Sequence, residues 1–187
     1  TYSPYSFEKP EVIHHREGTS YRYWLYNNGI LSEKESVKKA LEKISNYNEK
    51  RNYSTSFDKI DALFEPSNGF LNDIIRTNLN KLSLKTRGVR SLLDYSLEKT
   101  RKGMSGCYIF HSGGTSTGKN MLRHLGPVFE KRFRELNSIV GCGSASFFSQ
   151  NDGKNVLNII NKNDPIPLLS SPIQFLTNRL SYGKIGN

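Results

Sequence analysis

The residues best suited to chemistry stand together in Gly106–Lys119, Gly-Cys-Tyr-Ile-Phe-His-Ser-Gly-Gly-Thr-Ser-Thr-Gly-Lys. An apolar run over Cys107–Phe110 stops at His111-Ser112, crosses two glycines and leads into a helical pattern beginning near Thr117. A strand, a sharp glycine turn and a helix can do two kinds of chemistry. They can hold a serine hydroxyl clear of the backbone as a nucleophile, with Ser112 at the apex. They can also wrap backbone N–H groups around a phosphate, because Gly113, Gly118 and Lys119 fit most of the phosphate-loop pattern.

The phosphate reading gains weight from Asn161-Lys162-Asn163-Asp164, which follows an apolar run as the guanine-reading Asn-Lys-x-Asp of GTPases does. Against it, residue 120 is Asn, so the hydroxyl that ligates magnesium is absent. Lys119 and Asn161 stand only 42 positions apart, too few for the switch elements placed between such motifs. No apolar strand ending in Asp follows Lys119 as a magnesium partner. Nucleotide binding at Gly113–Lys119 is therefore the weakest of three functional alternatives.

Several elements must position this stretch. Residues 1–10 read as an N-terminal arm. Glu11–His15 and Tyr21–Tyr26 read as the two strands of a hairpin over 11–26, the second closed by the turn signal Asn27-Asn28-Gly29. Ser32 and Glu35 form a capping box for a helix ending near Tyr47. A strand over Lys59–Phe64 precedes helices over 70–82 and about 87–101, the first marked by Phe70, Leu71, Ile74, Ile75, Leu79 and Leu82 at helical spacing. The helix after the glycine turn spans Thr117–Arg134, with Pro127 imposing a kink or restart. Strands follow at Ser138–Val140 and Val156–Ile160, and Ser171-Pro172 opens a last helix over Ile173–Leu180. Strands alternate with helices and the later strands are continuously apolar. That pattern predicts an α/β fold, a mostly parallel sheet with helices on both faces, as a single domain over 1–187.

The 187 residues carry a net charge of +10, spread along the chain, with dense groups at Lys99–Lys102 and Lys131–Arg134 near expected helix ends. Spread in this way, the charge reads first as a lysine-rich solvated surface and second as attraction to an anionic surface, and no nucleic-acid motif accompanies it. Cys107 and Cys142 lie in strand-like runs and read as buried thiols rather than a disulfide. No zinc spacing occurs, adjacent His14 and His15 point to opposite strand faces, and no metal or cofactor is expected. Tyr21, Tyr23, Trp24 and Tyr26 read as packing rather than a base-stacking platform. This chain has no signal-peptide pattern and no apolar run of membrane-spanning length, which leaves the cytoplasm or export as an effector as its expected location.

Around the serine the frame is Phe110-His111-Ser112-Gly113-Gly114, where Gly-x-Ser-x-Gly requires a glycine at the first position. Downstream come Val140-Gly141-Cys142-Gly143-Ser144 and then Val156–Ile160, leading to Asp164-Pro165-Ile166-Pro167. Over residues 100–170 this order resembles the α/β-hydrolase superfamily, and its lipase-like members in particular. Asn28-Gly29-Ile30 and Ser67-Asn68-Gly69 with Asp73 are similar to a group of lipase-like proteins from chlamydiae, which makes a bacterial source the expectation. The resemblance implies a serine esterase or lipase acting on an ester or lipid-like substrate. Ser112 would be the nucleophile and Asp164 the acid. The oxyanion hole would comprise Gly113 with Asn28 or Gly29. Phe110 departs from the pattern. So does the base: in this fold it follows the acid, and His14, His15, His111 and His124 all precede Asp164. Because residue 1 is Thr and the chain ends without that histidine, truncation at the C-terminus is one expectation, and supply of the base by another chain is a second. Loss of catalysis, with the fold retained as a module for a protein partner, is the third.

Overall fold

The computed structural model describes residues 9–51, 57–161 and 163. Among these residues six strands form one sheet: β1 (Glu11–Arg16), β2 (Arg22–Asn27), β3 (Lys59–Phe64), β4 (Ser105–His111), β5 (Asn137–Cys142) and β6 (Asn155–Ile159). Their spatial order is β1-β3-β2-β4-β5-β6. Only β1 runs antiparallel, against β3; every other neighbouring pair is parallel. Five helices connect them: α1 (Lys34–Arg51), α2 (Phe70–Lys81), α3 (Arg87–Arg101), α4 (Gly114–Arg123) and α5 (Pro127–Leu136). The chain is thus α/β, with a mostly parallel sheet.

Alternation along β2 sends Tyr23 and Leu25 to one face of the sheet and Trp24 and Tyr26 to the other. On the first face, Tyr23, Tyr108, Phe110 and Ile139 pack against Val89 and Leu92 of α3, Met121 of α4 and Phe133 of α5. On the second, Val37 and Leu41 of α1 cover Ile60, Ala62 and Phe64 of β3. Beyond α1 that second face is only partly covered by the described residues, and Leu157 and Ile159 of β6 are exposed.

The expected hairpin over 11–26 does not form. β3 inserts between β1 and β2, pairing antiparallel with the first and parallel with the second. Turn signals and alternation mark both strands, but neither encodes which partner a strand takes. Polar side chains help fix the arrangement instead: Asp58, just before β3, accepts hydrogen bonds from Ser20, Arg22, Trp24 and Asn48.

Two helix boundaries also move. α1 opens at Lys34, with the Glu33 carbonyl accepting from Val37 N–H, so the Ser32 capping box is not where it starts. The helix expected over Thr117–Arg134 is two. Gly126 adopts φ 76°, a left-handed conformation suited to glycine, and Pro127 restarts the helix at its first turn, where a missing N–H is harmless. The expected helix over Ile173–Leu180 lies outside the described residues, as does Asp164.

Candidate active site

The turn after β4 is tighter than the sequence pattern implies. α4 begins at Gly114, with only Ser112 and Gly113 between it and His111 at the end of β4. The reversal is made by Ser112, a non-glycine residue at φ 50°. Its N–H donates to the Cys142 carbonyl of β5 at 2.8 Å, and its own carbonyl accepts from Thr115 N–H at 3.1 Å. Both ends of the turn are therefore pinned, and the side chain projects from a half-buried position between sheet and helix. Among the described residues its hydroxyl makes no hydrogen bond.

Phe110, the departure from the glycine frame, is accommodated by a glycine elsewhere. Its ring lies under α4, where a Cβ on Gly118 would stand 2.7 Å from the ring carbons. The ring is buried and stacks with Tyr108 and Phe148. A small residue is still needed for helix and strand to approach, but here the helix supplies it.

The loop after β2 comes up beside Ser112. A Cβ on Gly29 would stand 2.7 Å from Ser112 Cβ and 3.1 Å from His111 Nδ1. A Cβ on Gly113 would stand 3.0 Å from Ile30 Cγ2 and 3.6 Å from Ile30 N. Glycine at both positions is what lets the backbones meet. Among the described residues, the N–H groups of Gly29, Ile30 and Gly113 donate no hydrogen bond. The loop and the turn thus bring an unpartnered hydroxyl and unpartnered backbone donors to one place.

Buried polar residues hold this loop in position. Asn28 is fully paired with the Glu65 backbone: its amide donates to the carbonyl at 2.8 Å and its carbonyl accepts from the N–H at 2.7 Å. The Glu65 carboxylate accepts from Asn27 and from Thr117 of α4, tying the loop to that helix. Asp73 of α2 is wholly buried and accepts from Leu31 N–H at 2.8 Å, holding Leu31 at φ 55°. Arg76, also buried, faces both carboxylates, at 3.4 Å from Asp73 and 3.9 Å from Glu65. The Asn28 side chain is therefore a brace for the loop. Glu65 was not legible as a site residue, Gly118 was visible only as part of the phosphate-loop spacing, and Ile30 only as part of Asn28-Gly29-Ile30. Asp73 carried a signal of the same kind, through its place after Ser67-Asn68-Gly69.

The surroundings are apolar enough to disfavour charge: burial pushes the Cys107 thiol of β4 up to about 11 and also raises that of Cys142. Both cysteines are free. Lys119 does not point at an open loop. Its ammonium pairs with Asp152 at 2.5 Å and lies over the Phe148 ring, while Gly114–Gly118 is already helical. No cluster of potential metal ligands occurs among the described residues. Of the four histidines, His14 pairs with Asp61 on β3, and His124 contacts the Ser83 carbonyl. Comparison with models of known protein families and with curated proteins finds no match.

Proposed function

We infer that the chain is a serine hydrolase of the α/β-hydrolase type, cleaving esters through an acyl-enzyme on Ser112. One observation carries this reading: Ser112 is strained at a strand-to-helix turn, with its hydroxyl and the nearby N–H groups of Gly113, Ile30 and Gly29 all without a partner among the described residues. A tetrahedral intermediate needs a nucleophile at that apex and two donors for its oxyanion. The Ser112 oxygen would attack the acyl carbon, the ester C–O bond would break to release the alcohol, and water would then free the acid. The loop after β2 would supply the second donor, from Gly29 or Ile30, with Asn28 holding it.

Asp164 enters the proposal as the orienting acid by its order in the sequence alone. The base that takes the Ser112 proton has no candidate hydrogen-bonded to Ser112 among the described residues, and that observation favours a second reading. In it the fold is retained without catalysis and serves a protein partner. Hydrolysis of p-nitrophenyl esters by the full natural chain separates the two. Activity lost in Ser112→Ala supports the enzyme; equal turnover by wild type and Ser112→Ala removes it. A phosphate loop at Gly113–Lys119 has less support, since Gly114–Lys119 is helical and Lys119 is committed to Asp152.

A further inference from the structure

Helix α2 is built the wrong way round for a surface helix. The residues it buries are Asp73, Arg76 and Asn80, all engaged in the polar network behind the turn. The residues it shows to solvent are apolar: Phe70, Leu71, Ile74 and Ile75 are exposed, Leu71 at 73%. Leu82 and Leu84 continue this surface past the helix end, at 71% and 52% exposure. At the other end Leu31, tied to Asp73 through its N–H, presents its side chain at 55% exposure. Isolated exposed leucines need no explanation, but a contiguous set on one helix marks a docking surface.

The charge around it selects the occupant. Past Arg76, which is turned inward to Asp73 and Glu65, the sequence up to Asp94 holds four cations (Lys81, Lys85, Arg87 and Arg90) and no acid. Arg123 adds another, its guanidinium reaching the Lys81 carbonyl at the end of α2. An apolar helix face bordered by cations suits an anionic lipid surface, where the apolar side chains sink below the headgroups and the cations meet them. At +10, two copies of this chain repel one another, which disfavours self-association through the same face. At 12 residues α2 is too short to cross a membrane and would lie along it. We propose that α2, with Leu31 and the Leu82–Lys85 turn, docks the protein on an anionic lipid surface, placing the Ser112 turn beside the interface.

The proposal does not depend on hydrolysis, so it is tested on Ser112→Ala as well as wild type. Flotation with vesicles of phosphatidylcholine, alone or mixed with phosphatidylglycerol, reads the binding directly. Both proteins are expected to float with the anionic vesicles and not with the neutral ones, and added salt should release them. Leu71→Glu should weaken binding roughly tenfold or more, and Lys85→Gln about fivefold. Leu82→Glu, at the other end of the face, is the second variant should Leu71→Glu prove poorly folded. Absence of flotation with anionic vesicles overturns the proposal, as does binding that the glutamate variants leave unchanged. A wild-type dimer that Leu71→Glu converts to monomer, without vesicle binding, overturns it too by giving the face to a second copy.

Discussion

Ser112 sits where few side chains other than glycine go. A serine at φ 50° costs roughly 1–2 kcal/mol of backbone strain, and such strain persists where the surroundings over-determine it. Here the bonds to Cys142 and from Thr115 do so. Replacing Ser112 with glycine should therefore raise stability by about 1 kcal/mol, a few degrees in Tm by calorimetry, while abolishing ester cleavage. A serine kept only for the turn would gain nothing from its strain. Gly29→Ala probes the loop opposite. Its methyl would enter 2.7 Å from Ser112 Cβ, so the loop must retreat. Its stability should fall by about 1–3 kcal/mol, as for other overpacked positions, and its kcat/KM at least tenfold in protein that is still folded, because the displaced N–H groups are the proposed oxyanion donors.

At the scale of elements, two contacts set the site. The first is Phe110 against Gly118, which fixes how closely α4 approaches β4. Gly118→Ala would press a methyl onto the ring and should cost about 1–3 kcal/mol in chemical denaturation; Phe110→Leu in the same chain should recover part of it. The second is Asp73, which connects α2 to the loop after β2. Removing one member of a buried ionic group leaves the others uncompensated, so Asp73→Ala should cost about 3–5 kcal/mol. Most of these elements were legible. The helical spacing of Phe70, Ile74 and Leu82 predicts α2 well, yet it gives the wrong inside. Periodicity reports that one face is apolar, and only the packing of Asp73, Arg76 and Asn80 shows that this face points outward. The Phe110 departure had the same character. The glycine it required was present, but eight residues later on the facing helix.

Across the whole molecule, an alternating order of strands and helices was enough to predict a mostly parallel α/β sheet. It was not enough to place β1, whose partner β3 lies more than 40 residues away. The polar centre that orders this edge is Asp58. Burial alone would raise its pKa, but hydrogen bonds from Trp24, Asn48 and Ser20, together with the Arg22 charge, more than offset that and hold it below the ordinary carboxylate value. A depressed folded-state pKa means stabilisation present above the unfolded value, near about 3.9, and lost as pH falls through the folded one. Wild type should lose stability relative to Asp58→Asn as pH is lowered from about 5 towards 2, as read by urea midpoints at each pH. Parallel curves would show that Asp58 does not contribute in this way. The same scale limits what was readable of the site: Ser112 and Gly113 were visible in the sequence, whereas Ile30 is brought beside them only by the sheet order.

Ser112 is proposed as a nucleophile beside backbone N–H groups placed to hold an oxyanion. Reaction of the full natural chain with a fluorophosphonate, followed by mass spectrometry of the intact protein and its peptides, tests it most directly. One adduct on Ser112, absent from Ser112→Ala and much reduced in Gly29→Ala, is the predicted result. A folded wild-type protein that takes up no label, or carries it on a residue other than Ser112, would contradict the claim.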